Sequence, residues 1–73
     1  MDKIVYKNQG GPDVVAEIEI QESGACKYSI YCKVSDVSYR TAGEVNSYEA
    51  AVAITESFSK TLYALAMSEV NHV

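Results

Sequence analysis

The chain has 73 residues, 48% of them apolar and 22% charged, with a net charge of −4 and a pI of about 4.7. A chain of this length holds one domain, spanning residues 1–73, and buries only about 60% of the surface its unfolded form exposes, so contact with a second chain would add to a thin margin. The acidic balance and a single arginine, Arg40, argue against nucleic acid as a ligand, because phosphate-backbone binding rests on clustered Lys and Arg; the composition is also far from that of a disordered chain.

The first element is "KIVYK", residues 3 to 7, a short β-rich run. It is closed by "NQGGPD", in which Gly10 and Gly11 can take positive φ and Pro12 fixes its own. "VVAEIEIQ" (14 to 21) alternates with period two, placing Val14, Ala16, Ile18 and Ile20 on one side and Val15, Glu17, Glu19 and Gln21 on the other. "ESG" turns the chain, and "ACKYSIYCKVS" (25 to 35) puts Cys26, Tyr28, Ile30, Cys32 and Val34 on one face.

These patterns set a register. With Glu22, Ser23 and Gly24 as the hairpin loop, Ile20 faces Cys26, Ile18 faces Tyr28, Ala16 faces Ile30 and Val14 faces Cys32, all apolar on apolar. The same register opposes Glu19 to Lys27 and Asp13 to Lys33, opposite charges as cross-strand pairing favours, and a slip of one residue loses both patterns. With Ser35 and Asp36 as a two-residue turn, Val34 faces Val37, Cys32 faces Tyr39 and Ile30 faces Thr41, while Tyr31 meets Arg40 on the outside as a cation–π candidate. Residues 14 to 42 therefore read as a three-stranded meander, which the first strand extends to four at its free edge.

A helix follows. Asn46 and Glu49 have capping-box spacing, with Ser47 as the alternative cap, and Ala, Glu, Leu and Met are frequent afterwards. At ~100° per residue, Ala51, Ile54, Phe58, Leu62 and Leu65 fall within about 40° of Phe58, a stripe suited to packing on a sheet. Val52, Tyr63, Met67 and Val70 project to the other side, where they read either as scattered exposed groups or as a dimer or partner contact, in which Tyr and Met are enriched. A helix over residues 47 to 69 runs about 35 Å against about 26 Å for the strand 14 to 21, so its last turns are expected to overhang. The fold class expected is α+β: a three- to four-stranded antiparallel meander with one long C-terminal helix on one face.

The inventory of reactive groups is short, and no catalytic, cofactor or metal site is expected. Cys26 and Cys32 lie about 20 Å apart on one strand, beyond the ~7 Å a disulfide allows, and read as free thiols of a reduced compartment. His72, the sole histidine, lies next to the chain end and is poorly placed for a nucleophile–base pair. Glu17 and Glu19 share a solvent-facing side with Lys27 opposite, a charged ladder rather than an acid/base pair. "NQGGPD" lacks the pattern of a phosphate loop. No stretch reaches the ~18 to 20 apolar residues of a membrane span, and "MDKIVYKNQGG" lacks the apolar region of a signal peptide, so a cytoplasmic location is expected.

The order hairpin, strand, then "AGEVNSYEAAVAITESFSKTLYAL" resembles small bacterial β-β-β-α domains of unknown function, in which a Gly-containing strand end leads into a "D/N-S-x-x-A" helix start. It is distantly similar to HicB-type antitoxin domains, where a hairpin precedes a "T-x-E-E-A" helix. The second likeness implies a toxin-neutralising partner, and neither implies a catalytic residue. The expectation is a small non-enzymatic protein-binding module, an inhibitor acting by steric occupation. Its candidate contacts are Glu17, Tyr31, Lys33 and Arg40 on the open sheet face and Tyr63, Met67 and Val70 on the helix back. The partner would be another protein, including a larger host complex, and the alternative is a structural or regulatory homodimer formed through the helix back or a β-edge.

Overall fold

A computed structural model describes the backbone of residues 1–71 and the side chains of residues 1–68. Four antiparallel strands, β1 (Asp2–Tyr6), β2 (Val14–Ile20), β3 (Cys26–Val34) and β4 (Val37–Val45), form one sheet in chain order, and α1 (Tyr48–Asn71) packs on one face. The β2–β3 and β3–β4 registers are those the alternation predicts: Ile18 opposes Tyr28, Ala16 opposes Ile30, Val34 opposes Val37 and Tyr31 opposes Arg40. β1 joins the free edge of β2 with Ile4 opposite Ala16.

The turns explain these registers. At 22–24 the Gly24 amide donates to the Gln21 carbonyl and the Gln21 amide to the Ala25 carbonyl, with Gly24 at φ 94°, a type I turn closed by a left-handed glycine. In the 7–13 loop Gly10 has φ 75° and the Gly11 amide donates to the Asn8 carbonyl. The Asn8 side-chain amide donates to the carbonyls of Tyr6 and Pro12, tying the loop to the strand it leaves. The two-residue β3–β4 turn places Ser35 at φ 56°, where a β-carbon costs roughly 1–2 kcal/mol. Ser35→Gly should therefore raise stability by up to about 1 kcal/mol, seen as a higher urea midpoint at unchanged slope.

Ser47, not Asn46, caps the helix: its Oγ accepts from the Ala50 amide at 3.1 Å, and its carbonyl accepts the first helical bond from Ala51. The helix runs along the strands. Ala51 packs with Ile18 and Cys26 at one end of the sheet, and Leu62 and Ala66 pack with Val14, Ile30 and Cys32 at the other. From Ala51 to Ala66 is about 22 Å of helix, and Cys26 to Cys32 about 20 Å of strand, so the helix stays on the sheet as far as Ala66.

The line of closest approach differs from the projected stripe. Ala51, Thr55, Ser59, Leu62 and Ala66 are buried, whereas Leu65 is 45% exposed and Ile54 and Phe58 are half-buried; the buried line is rotated by about 60° from the stripe centred on Phe58. Small residues make this line because they let the helix axis come near the sheet. Thr55 and Ser59 tolerate burial because their hydroxyls donate to the carbonyls of Val52 and Glu56 in their own helix. The Tyr6 hydroxyl, 3.2 Å from Thr55 Oγ1, then donates to that oxygen.

Larger side chains straddle the line. Phe58 meets Tyr28, with ring centroids 6.3 Å apart, and the Tyr28 ring lies over Gly43 of β4. On the β1 flank Tyr63 packs against the core and lies over Gly11. The placement of Tyr63 on the helix back is thus corrected: it anchors the 7–13 loop. Ile20 pairs with Cys26 as expected but is 59% exposed, because the β1 pairing begins opposite Ile18 and does not reach the last residue of β2.

Candidate functional site

Among the described residues, no layer covers the face of the sheet opposite the helix. Four cross-strand rows cover it. One is Glu19, Lys27 and Glu44; the next is Lys3, Glu17, Ser29 and Ala42; the third is Val5, Val15, Tyr31 and Arg40; the last is Lys33 and Ser38. The third row is an apolar band running across the sheet to a guanidinium. Val5 is 43% exposed, Val15 and Tyr31 are half-buried, and Arg40 is exposed.

The structure gathers Glu17, Tyr31, Lys33 and Arg40 around one ring. Arg40 stands directly across from Tyr31, Lys33 is two residues along the same face of β3, and Glu17 lies diagonally across on β2. The one ring contact among the described residues is Tyr28–Phe58, so the expected Tyr31–Arg40 cation–π pair is an adjacency without a stacked contact. The ladder starts at Val14–Cys32, which leaves Asp13 outside it and removes the expected Asp13–Lys33 pairing. Val5 and Val15, which extend the band, were missed. Val15 could have been found from its alternation opposite Val14, but Val5 needed the β1 register, which a seven-residue connection from 7 to 13 does not set.

Tyr63 belongs to the core edge, Met67 is half-buried, and the side chain of Val70 lies outside the described residues, as does His72. Replacing Tyr63 would disturb the 7–13 loop as well as any contact with a partner.

Cys26 and Cys32 are free and buried on the helix side. Burial, with the Asp13 carboxylate adding to it, pushes the Cys32 thiol above its ordinary 9.0. The unfolded chain therefore ionises first, and stability present below about pH 9 is lost as pH rises toward the folded value. Cys32→Val removes that titration, so its melting temperature should fall less steeply than the wild-type value as pH rises above about 9. The Asp2 carboxylate beside the Tyr48 hydroxyl raises that phenol as well. No cluster of three or more His, Cys, Asp or Glu side chains suited to a metal ion occurs among the described residues. No described helix is long and apolar enough to cross a membrane.

With this geometry in hand, comparison with known proteins finds no matching family model, curated protein or solved structure.

Proposed function

We propose that this is a non-enzymatic protein-binding module that acts by occupying a surface of its partner through the open sheet face. The observation that carries the reading is the uncovered band Val5–Val15–Tyr31, ending at Arg40 and flanked by Lys33 and Glu17. An aromatic and an arginine side by side on a rigid sheet are the residue types that dominate binding energy at interfaces. Their setting on paired strands means little conformational entropy is lost on docking. The partner surface that fits is a protein face with an apolar depression for Tyr31 and a carboxylate for Arg40 or Lys33.

Within that class the narrower reading is an inhibitor working in the cytoplasm, of the kind phages and mobile elements use against a host defence complex, or a bacterial immunity or antitoxin protein. The small size, the net charge of −4 and the likeness to HicB-type antitoxin domains support it.

Capture from the native host with wild-type and Tyr31→Ala baits tests the reading. A stoichiometric protein partner should be held by the wild type and bound at least ~30-fold more weakly by Tyr31→Ala, the loss of an interface hot spot, while both baits melt at the same temperature. Equal binding by both baits would assign the contact elsewhere, and turnover of a substrate by the purified protein would replace the class.

A further inference from the structure

We propose that β4 is a self-pairing edge: two copies join antiparallel through β4, with Arg40 opposite Glu44 of the second copy, to make one continuous eight-stranded sheet. The two edges of this sheet are unlike. β1 is five residues long and carries Asp2 and Lys3, whereas β4 is nine residues long and contains neither Lys nor Pro. Short length, Lys and Pro are the usual means of blocking edge pairing, and β4 has none of them.

The backbone sets which residues can pair. Val34 and Val37 flank a two-residue turn and so exchange hydrogen bonds with each other. Bonding then alternates along the strand. Val37, Tyr39, Thr41, Gly43 and Val45 face β3, and Ser38, Arg40, Ala42 and Glu44 turn their N–H and C=O groups to the edge, which no described strand pairs. An antiparallel partner centred on Ala42 puts Ala42 against its own copy and Arg40 against Glu44, twice by symmetry. All of these positions have outward backbone groups.

Side chains favour this register. On the outer face it continues an alternating row: Glu19, Lys27 and Glu44 of one copy, then Arg40 of the next. On the helix side it opposes Tyr39 to Val45 and Thr41 to Gly43. Moving the centre to Thr41 sets Arg40 against Ala42 and Glu44 against Ser38, and the charge pairing is lost.

The helix supplies a second, independent reason. Its apolar stripe is wider than the line the sheet buries, and the surplus lies on the β4 flank, where Phe58 meets the Tyr28 ring above Gly43. Ile54 and Leu65 share that side of the helix; Leu65 is 45% exposed, and Val37 at the edge below is 37% exposed. In the pair, the two β3 strands lie about 14 Å apart at ~4.8 Å per strand. The two helices then border a trough floored by both β4 strands, and Ile54, Phe58 and Leu65 enter it from each side.

The pair shares Arg40 with the open-face reading but makes no use of Tyr31, so Tyr31→Ala should weaken a partner's hold and leave the pair intact. Light scattering on the purified protein at tens of micromolar should give twice 8.0 kDa. Arg40→Glu and Glu44→Arg each place like charges at both contacts and should give folded monomers by circular dichroism. An equimolar mixture of these two variants restores opposite charges at both contacts and should recover the dimer mass. Leu65→Lys, at an exposed position, should weaken the pair at least ~10-fold without changing the monomer fold. A wild-type monomer at every concentration, dimers that survive both charge substitutions, or a mixture that stays monomeric would each overturn the proposal.

Discussion

Ile30→Ala is expected to cost about 2–5 kcal/mol of unfolding free energy. Ile30 is fully buried in the middle of β3, with Ala16 on one side, Thr41 on the other and the helix above. Its cross-strand neighbour Ala16 and the helix residue Ala66 of the same core cluster are too small to fill the space its removal leaves, so the site keeps a cavity rather than collapsing. At ~0.05–0.15 kcal/mol per residue the whole domain has roughly 4–11 kcal/mol to lose, so this change alone can unfold a large share of the molecules. Val5→Ala is the control, because Val5 lies on the open face and should change stability by no more than about 0.5 kcal/mol. Urea denaturation of both variants reads the contrast directly.

The second large effect concerns the contact between Tyr28 and Gly43. These residues are cross-strand partners, and a β-carbon added at Gly43 would sit 2.5 Å from the Tyr28 hydroxyl oxygen and 2.7 Å from Cζ. The ring cannot move aside without leaving Phe58. Gly43→Ala should therefore cost about 1–3 kcal/mol in the wild-type background. In a Tyr28→Ala background the obstruction is gone, and the same change should be neutral or slightly stabilising, since Ala loses less backbone freedom than Gly. A double-mutant cycle checks this: coupling above about 1 kcal/mol is expected, and additivity within ~0.5 kcal/mol would mean the ring does not depend on the glycine.

Strand pairing was legible because two independent patterns, apolar alternation and opposed charges, point to one register, and short turns at 22–24 and 35–36 hold it. The placement of β1 on the edge followed from simplicity of connection, and its register did not follow at all. The helix's existence was legible, but its rotation about its axis was not. A projection weighted by hydrophobicity sets Phe58 at the centre, whereas closest approach is decided by Ala51, Thr55, Ser59 and Ala66, two of which hide their polarity in bonds to their own helix. Tyr63 over Gly11 joins residues far apart in the chain by shape alone, a fit that no local pattern announces. Of the two candidate groups, the sheet-face set survives as one surface because period-two alternation decides it. In the helix set Tyr63 moves to the core edge, because its placement depended on that rotation.

The open sheet face as a binding surface is tested most directly by a solvent footprint of the captured complex, comparing side-chain oxidation of the free and bound protein. Tyr31 should be protected on binding, with Leu65 on the β4 flank unchanged by the partner. Protection confined to the helix, with Tyr31 as reactive in the complex as in the free protein, would contradict a function carried by the sheet.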